Sequence, residues 1–444
     1  MSTVWNTYRI EDIADKITIG PFGSRMKSDA YVESGVPVIR GTNLTGSKKF
    51  SGDWVFISEQ LAKQLENCCV SNGDLVFPHR GSIGEVGLVD NQFHQYMMSS
   101  SLMKLRCNPN IADSEFIYYF FKSHQGRYEL LKNASQVGTP GIGQPLTSLK
   151  NIEIKLPSLG EQRKIAKILS DLDDKIHINN QINQTLESIA QALFKSWFID
   201  FDPVRAKIAA KLEGADPEIA AMCVISGKSE AELKKMPEDD FAELQATAAL
   251  FPDELVESEL GEVPKGWSVS KVDDILKRIK IKKRFKKNDV NEFGQTFVLE
   301  QGSNIILGFH DNEGNISASK EEPAFIFGDH TCITRLMLSN FDVSENVIAV
   351  TGKERNSYWT YYAIKDLQKF QEYRRHWMEL TSKQVVVADV RLTDYFAKKV
   401  KILHEDIEYS LRENLVLMNL RNTLLPKLLS GEISVSSFQE DTND

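Results

Sequence analysis

The segment Trp5–Ile13, WNTYRIEDI, recurs in the second half of the chain as Trp267–Ile275, WSVSKVDDI. Two further echoes keep the same order along the chain: Arg40–Leu44 returns as Gln301–Ile305, and Phe116–Lys122 returns as Trp359–Lys365. The repeat is far longer than the repeats of solenoid proteins, so each copy is predicted to be a domain with its own core. The pattern indicates a tandem duplication.

The composition is that of a soluble globular protein, with 41% hydrophobic and 26% charged residues in 444. No apolar run approaches the roughly 18 residues that a membrane span needs, and the start MSTVWNTYRI does not read as a signal peptide. The five cysteines form an odd set without C-x2-C spacing, which is typical of structural thiols in a reducing compartment. We therefore expect a cytoplasmic protein with no membrane partner.

The charge is distributed unevenly along the chain. Residues 212–262 carry fourteen acidic and three basic side chains, a net of −11, so the rest of the chain is +2 although the total is −9. The total charge therefore does not exclude a polyanionic ligand, because binding depends on where the cations cluster. The acidic segment itself is predicted to be a solvated connector.

Short β-branched and aromatic runs bounded by Gly, Pro and Asn predict strands in both halves, and each half ends in a long amphipathic helix. The predicted fold class is α+β: two similar strand-rich domains separated by two long helices that form an antiparallel coiled coil. The predicted divisions are a first domain at 1–155, a central helix at 156–200, an acidic helical connector at 201–262, a second domain at 263–403, a C-terminal helix at 404–432 and a disordered tail at 433–444.

The helices show an apolar seam with heptad spacing. The predicted seam residues are Ile165, Leu172, Asn179, Leu186 and Leu193, with Ile168, Ile182 and Ile189 three residues behind, and Leu411, Leu415, Met418, Asn422 and Leu425. Two such helices either pair with each other, antiparallel, or bury their seams against a partner protein. Asn179 and Asn422 either fix the register of the seam or lie exposed at its edge.

No catalytic motif is present in the sequence. Thr351–Lys353 lacks the upstream glycine of a phosphate-binding loop, no G-x-G-x-x-G follows a strand, and there is no H-E-x-x-H. We therefore predict neither a catalytic residue, a metal site nor a cofactor on this chain. The competing interpretation, a nuclease or methyltransferase that acts alone, predicts turnover by the purified chain.

Lys277–Lys287 carries eight basic residues in eleven, interleaved with Ile and Phe. Such a run suits a phosphate backbone, although a solubilising surface is the alternative. The predicted DNA contacts of the first half are Arg25, Lys27, Arg40, Thr42, Asn43, His79, Arg80, Ser82, Thr139 and Gln144. Those of the second half are Lys280, Lys282, Lys283, Arg284, Lys286, Ser303, Asn304, His330, Arg335, Arg355, Asn356, Lys383 and Gln384. For Asn43 and Asn304 the alternative role is to cap turns.

The whole chain resembles the DNA-specificity (S) subunit of Type I restriction-modification enzymes. The resemblance rests on the two W-x4-[IV]-[ED]-D-I segments and on dispersed segments of both halves: Gly20–Ser24, Leu156–Ala166, Leu172–Ile176, Leu193–Val204, Ser258–Pro264 and Leu424–Ile433. The second half departs from the first at Leu403–Asp406, opposite Pro157–Gly160, and at Phe327–His330, opposite Phe77–Arg80.

The resemblance implies that each domain reads one half of a bipartite, asymmetric site in double-stranded DNA, with the helices fixing the spacer. It also implies two methyltransferase (M) subunits that bind S-adenosylmethionine and two restriction (R) subunits that use ATP and Mg, in a system of antiphage defence. This chain would be the non-catalytic recognition subunit. The main alternative is a coiled-coil scaffold with two protein-binding domains, which predicts no salt-dependent DNA affinity.

Overall fold

A computed structural model of the chain describes residues 5–22, 25–26, 28–44, 46–135, 140–302, 304–372 and 374–435. The chain divides into two compact units. The first unit comprises residues 1–177 and 416–444, and the second comprises residues 178–415. The first unit is therefore built from both ends of the chain.

The strands of the first unit are short and are bounded by turns. They are β1 Asn6–Arg9, β2 Ala14–Ile19, β3 Tyr31–Val32, β4 Val36–Ile39, β5 Val55–Ile57, β6 Cys69–Val70, β7 Leu75–Pro78, β8 Gly87–Leu88, β9 Tyr96–Met98, β10 Leu102–Cys107, β11 Ala134–Ser135, β12 Gly141–Ile142 and β13 Glu153–Leu156. Its helices are α1 Glu59–Gln64, α2 Ser114–Lys122, α3 His124–Leu131, α4 Pro145–Lys150 and the start of α5 Leu159–Phe198.

Three sheets organise the first unit. β1 pairs with β13, a second sheet has the order β2-β10-β7-β8, and a third has the order β3-β5-β4-β9-β6 with β4 and β9 parallel. The second sheet buries one face against α2, whose residues 116–121 are all buried. Asp113 caps this helix, because its Oδ1 accepts a hydrogen bond from the backbone N–H of Phe116 at 3.0 Å.

The second unit opens with the helices α6 Asp202–Glu213, α7 Pro217–Ser226, α8 Glu230–Leu233 and α9 Glu238–Ala248. Its strands are β14 Leu255–Ser258, β15 Gly261–Pro264, β16 Ser268–Lys271, β17 Leu276–Arg278, β18 Arg284–Phe285, β19 Thr296–Leu299, β20 Ile306–His310, β21 Ala324–Gly328, β22 Thr334–Met337, β23 Phe341–Ser344, β24 Val347–Gly352 and β25 Gln384–Val387. The remaining helices are α10 Val272–Ile275, α11 Ser357–Ile364, α12 Trp377–Ser382 and α13 Val390–Ser430.

The sheets of the second unit repeat those of the first. β16 pairs with β25 as β1 pairs with β13, and the order β17-β24-β21-β22 matches β2-β10-β7-β8 strand for strand. In the third sheet the parallel pair β19 and β23 matches the parallel pair β4 and β9. This sheet has four strands rather than five, and β18 runs parallel to β23 where β6 runs antiparallel to β9. The echoes in the sequence therefore mark two copies of one fold, and the predicted α+β class with two similar strand-rich units is confirmed.

In the first unit α5 packs against the last turns of α13. Ile165 and Leu169 of α5 share a core with Leu428 of α13, and Arg421 of α13 bonds Asp173 of α5. Contacts later in α5 therefore meet earlier positions in α13. This order is that of an antiparallel pair.

The second unit contains the other halves of the same helices, and they run antiparallel as well. The ring of Phe194 lies 5.6 Å from that of Phe396, and Asn179 bonds Asn414. Within each unit the predicted antiparallel helix pair is thus present. At these contacts the two helices bury their seams against each other and not against a partner protein.

The predicted seam is only partly correct. Ile165 and Asn179 are buried, and the other predicted seam residues of both helices are half-buried. Ile182 and Ile189, however, are 44% and 50% exposed, because the buried face of α5 runs through Asn179, Ala190, Phe194 and Trp197 instead. Aromatic side chains of α5 pack on the sheets, so the buried face of the helix differs from the face that the heptads predict.

Of the two seam asparagines, Asn179 is the one that forms hydrogen bonds across the helix pair. Its Nδ2 donates to Asn414 Oδ1 at 2.9 Å and to Glu413 Oε2 at 2.6 Å. Asn422 is half-buried, and its Oδ1 accepts from the guanidinium of Arg421. The buried partner of Asn179 is therefore Asn414, which the heptad pattern did not identify.

Two predicted bounds need correction. The C-terminal helix begins at Val390 rather than 404, since Asp389 caps it and Leu392, Phe396 and Val400 form a buried apolar face. The predicted disordered tail begins too early, since Val435 is buried in the core of the first unit. Residues 436–444 of that tail lie outside the described residues.

The acidic segment is more than a solvated connector. Helices α7 to α9 enclose a small core around Met222 and Leu244, while Phe201 and Phe251 are buried in the main core of the second unit. The hairpin of β14 and β15 follows and crosses the predicted boundary at 262. The acids lie on the outer surface of a packed element.

Candidate nucleic-acid interface

In the first unit four chain segments meet at one edge of the sheet β2-β10-β7-β8. The backbone N–H of Gly20 donates to Leu102 O at 2.8 Å, and that of His79 donates to Ser101 O at 2.8 Å. Ile142 N–H donates to His79 O at 3.0 Å, and Gly81 N–H donates to Pro140 O at 3.0 Å. The ends of β2 and β7, the turn before β10 and the start of β12 thus form one hydrogen-bonded surface, called here the first edge.

Gly20 is required for the close approach at the first edge. A Cβ at this position would lie 2.0 Å from the carbonyl oxygen of Ser99, well inside van der Waals contact. Because glycine has no Cβ, the end of β2 can pack directly against the turn at residues 99–101. The sequence after it, Pro21-Phe22, then leaves the sheet.

The side chains exposed at or beside the first edge are polar, basic or aromatic. Arg25, Thr42, Arg80, Ser82 and Gln144 are exposed, and their DNA contacts stay a prediction. Phe22 is 70% exposed, and an aromatic ring so placed is available to stack on a base or enter a groove. The sequence interpretation did not choose Phe22, although a strand that runs into Gly-Pro-Phe-Gly was a signal for an exposed ring.

Three predicted DNA-contact residues of the first unit form hydrogen bonds within the protein instead. Asn43 is 1% exposed and its Nδ2 donates to Ser51 O, so its alternative role as a turn cap is the one observed. His79 is buried with Nε2 3.1 Å from Ser100 O, and burial lowers its pKa, which keeps the ring neutral. Arg40 donates to Asp53 O at 2.6 Å. Their DNA contacts stay a prediction without geometric support.

In the second unit the basic run Lys277–Lys287 lies along two sheet edges. It begins in β17, the edge strand of β17-β24-β21-β22, and continues into β18, the edge strand of β18-β23-β19-β20. All eight cations are exposed, while Ile279, Ile281 and Phe285 pack towards the interior. This surface is called here the second edge.

The cations of the second edge are little neutralised by the protein. None of the eight forms an ion pair with an acid of the described ranges. Arg284 donates to Ser344 O at 2.7 Å and Val347 O at 2.9 Å, and Lys283 lies 4.2 Å from the ring centroid of Phe285. The ring centroid of Phe285 lies 4.8 Å from that of His310, and this stacking packs β18 against β20.

The two edges begin at equivalent strands, β2 and β17, whereas β18 has no matching strand at the first edge. β2 follows Ile13 and β17 follows Ile275, the last residues of the repeated segments, and both are edge strands of matching sheets. The first edge carries a glycine, a proline and an exposed phenylalanine where the second edge carries lysines and an arginine. The segments that follow the two equivalent strands thus carry different side chains.

Most other predicted contacts of the second unit make internal hydrogen bonds. Arg355 donates to Ala388 O at 3.1 Å, Asn356 caps α11 by accepting from Tyr358 N–H, and Gln384 donates to Glu259 at 2.6 Å. Lys383 donates to Leu367 O, and the backbone N–H of His330 donates to Gln301. Their side chains or backbones support the fold, and their role in DNA binding stays a prediction.

Arg335 and Asn304 differ from that group. Arg335 is half-buried in β22 and lies near Glu187 of α5 rather than at the second edge. Burial by itself would raise the pKa of Glu187, but Lys365 and, more weakly, Arg335 bring that pKa below its usual value. Asn304 is exposed. Lys27, Thr139 and Ser303 lie outside the described residues.

Within the described ranges, no cluster of His, Cys, Asp and Glu has the arrangement of a metal site. In the same part of the chain no helix is both long enough and apolar enough to cross a membrane.

Comparison with known proteins places this architecture. Residues 3–188 match the family model of the Type I restriction modification DNA specificity domain. The HindI specificity subunit of Haemophilus influenzae is 30% identical over 97% of this chain and 99% of its own length. The MjaIX specificity subunit of Methanocaldococcus jannaschii is 25% identical over 98% and 94%. The solved S subunit of a Type I restriction-modification system from M. genitalium covers 96% of both chains at 18% identity, with a TM-score of 0.52.

The chain is a duplicated α+β protein whose two units share a fold and differ in the side chains at one edge. The chain belongs to the specificity subunits of Type I restriction enzymes, as the resemblance in its sequence implied.

Proposed function

We propose that this specificity subunit reads a bipartite, asymmetric site in double-stranded DNA, one half with each unit. The observation that carries the proposal is that the two edges begin at equivalent strands, β2 and β17, but carry different side chains. Two similar folds suit two stretches of the same kind of ligand. Different side chains at the same place suit different base sequences, because base edges are told apart by the groups that contact them.

The second edge is proposed to hold the phosphate backbone. Its cations are exposed and lack acidic partners among the described residues, so DNA does not have to displace an internal ion pair. Phosphate contacts fix position and register, and they contribute affinity that falls with salt. The first edge has fewer cations and an exposed Phe22, which fits contact within a groove.

The helices are proposed to fix the spacer and to bind the M subunits. Ile178, Ile182 and Ile189 lie exposed along one side of α5, and Ile402 and Tyr409 lie exposed on α13. Apolar side chains at such spacing form a surface that a partner would cover. We propose two M subunits, and two R subunits that join them in the cytoplasm.

The chemistry belongs to those partners in this proposal. S-adenosylmethionine is assigned to the M subunits, and ATP with Mg to the R subunits, because the sequence of this chain holds no motif for any of them. What this chain contributes is the position of the DNA relative to the subunits that modify it.

Co-expression of the chain with its M subunit, followed by mapping of modified adenines across a genome, tests the proposal. The expected result is a split motif with a constant gap and with unlike halves. A continuous or palindromic motif, or modification by the chain alone, would contradict it. A scaffold with protein-binding units would give no chain-dependent motif at all.

The second edge has a separate test. Replacing Lys280, Lys282 and Lys283 by Gln should weaken binding to all DNA sequences, and the slope of log affinity against log salt should fall by about 2 to 3, since each phosphate contact contributes roughly 0.9. The matched control replaces the exposed Lys228, Lys235 and Lys398 by Gln. Equal slopes for the two variants, measured with the M subunit bound, would reject the second edge as a phosphate contact.

A further inference from the structure

A pair of adjacent tyrosines lies against the helices in each unit, in the same geometry. The ring centroids of Tyr118 and Tyr119 are 5.1 Å apart with the planes at 75°, and those of Tyr361 and Tyr362 are 5.0 Å apart, also at 75°. All four side chains are buried. In each unit, the helix that directly follows the sheets is called here the following helix, and the other is the partner helix.

In the first unit the following helix is α5 and the partner helix is α13. The hydroxyl of Tyr119 donates to Asp173 Oδ2 of α5 at 2.9 Å, and Arg421 of α13 bonds Asp173 Oδ1 at 2.6 Å. Burial raises the pKa of Tyr118, Asp173 raises it further and Arg421 opposes the shift, so the guanidinium lies close to the tyrosines. These four residues are the first tyrosine cluster.

In the second unit the following helix is α13 and the partner helix is α5. The hydroxyl of Tyr362 lies 2.8 Å from Nε2 of His404 of α13, and the hydroxyl of Tyr361 donates to Glu187 Oε1 of α5 at 3.0 Å. Lys365 forms an ion pair with Glu187. These five residues are the second tyrosine cluster.

The partner helix supplies opposite charges to the two clusters. The following helix supplies the acid Asp173 in the first cluster and His404 in the second, where burial lowers the pKa to about 4 and keeps the ring neutral. The partner helix supplies the cation Arg421 in the first and the acid Glu187 in the second. Asp173 is 11% exposed and Glu187 is 22% exposed, so each acid depends on its cation.

Pairing with the same helix of a second copy would break both clusters. If α5 took another α5 as its partner helix, Asp173 would lose Arg421 and face Glu187. If α13 took another α13, Arg421 would join Lys365 at the tyrosines with no acid of the cluster present. Like charges in a partly buried site are strongly unfavourable compared with the matched pair. Lys122, the counterpart of Lys365 in the repeat, also lies near Asp173, but it already forms an ion pair with Glu85 and donates to Gly46 O. The pairing of α5 with α13 therefore gives each of Asp173 and Glu187 its own cation.

We propose that the two tyrosine clusters act as a charge code that makes α5 accept α13 and reject the same helix of a second copy. The code keeps each chain a monomer with two unlike units. This inference goes beyond the proposed DNA reading and does not depend on it, because it is tested without DNA.

Exchanging the charges at positions 187 and 421 should make each helix favour the same helix of a second copy. In the double variant Glu187→Lys with Arg421→Glu, pairing within one chain sets like charges together in both clusters. The new acid at position 421 then faces Asp173, and the new cation at position 187 faces Lys365. Pairing with a second copy relieves both repulsions, because position 187 of another α5 balances Asp173 and position 421 of another α13 balances Lys365.

The expected result is a dimer of exchanged helices, detected by light scattering after gel filtration, while the net charge stays that of the parent chain. The matched control is Asp171→Lys with Lys398→Glu, which makes the same exchange at exposed positions of the same helices. It should remain a monomer like the parent. A double variant at positions 187 and 421 that is also monomeric, with an unchanged melting temperature, would overturn the proposal. So would self-association of the control to the same extent.

A second measurement decides the matter if the exchanged variant is insoluble. Arg421→Glu alone should lower the melting temperature, and adding Asp173→Arg should recover most of the loss by restoring an opposite pair in reverse. A reversed pair no more stable than Arg421→Glu alone would overturn the proposal.

Discussion

The imidazole of His404 is 4% exposed and has Nε2 within hydrogen-bond distance of Tyr362. Burial lowers its pKa from 6.5 to about 4, against the opposing effect of Glu187. The folded state therefore holds this ring neutral where the unfolded chain binds a proton. A histidine of this kind contributes stability that is fully present above about pH 6.5 and is lost as the pH falls towards 4.

Replacing His404 by Gln should remove that dependence. Between about pH 7 and about pH 5 the parent chain should lose about 2 kcal/mol of unfolding free energy through this residue, and the variant should not. Urea unfolding followed by tryptophan fluorescence at both pH values gives the difference. Equal losses in parent and variant would show that His404 does not titrate on unfolding.

At the same scale, burial separates residue types that look alike in the sequence. Asn43 and Asn304 occupy equivalent places in the repeat, yet Asn43 is buried and bonded to the backbone while Asn304 is exposed. The sequence left both roles open because a short amide suits a turn cap and a base contact equally. The neighbours that decide between them come from distant parts of the chain.

At the scale of elements, the helix pair carries a polar layer in the second unit. Asn179 bonds Asn414 and Glu413, and Asn414 in turn donates to Asn180 at 2.9 Å. A buried polar pair costs stability relative to apolar residues, but it disfavours every register in which the two amides do not meet.

The variant Asn179→Leu should lose about 1 to 3 kcal/mol, because it leaves Asn414 buried without this partner. The double variant Asn179→Leu, Asn414→Leu should recover that loss or exceed the parent, since both polar groups are gone. Urea unfolding of the parent, the two single variants and the double variant measures the coupling. Additive losses in the double variant would argue against a coupled pair.

The helices also show where periodicity succeeds and where it does not. Heptads predicted two long helices because apolar spacing is a local property of the chain. They misplaced Ile182 and Ile189 in the seam, since the sheets contribute aromatic contacts that turn the buried face towards Ala190 and Phe194. The spacing of apolar residues predicts that a segment is helical, while the elements packed against the helix determine which of its faces is buried.

At the scale of the whole molecule, two units with separate edges predict separable specificities. Replacing Phe22, Arg80 and Gln144 by Ala should change or weaken one half of the split motif and leave the other half intact. The control replaces Glu59 and Gln60, which are exposed on α1, by Ala. Adenine mapping after co-expression with the M subunit compares the two. Loss of both halves together would show that the units do not read independently.

The sequence by itself determined the duplication, the α+β class, the two long helices and the family. These follow from residue order, composition and periodicity, which survive in a single chain read end to end. The tertiary structure alone decided which polar side chains are free, which face of each helix is buried and which charges meet at the tyrosines. Those properties depend on contacts between residues far apart in the chain, and no local pattern records them.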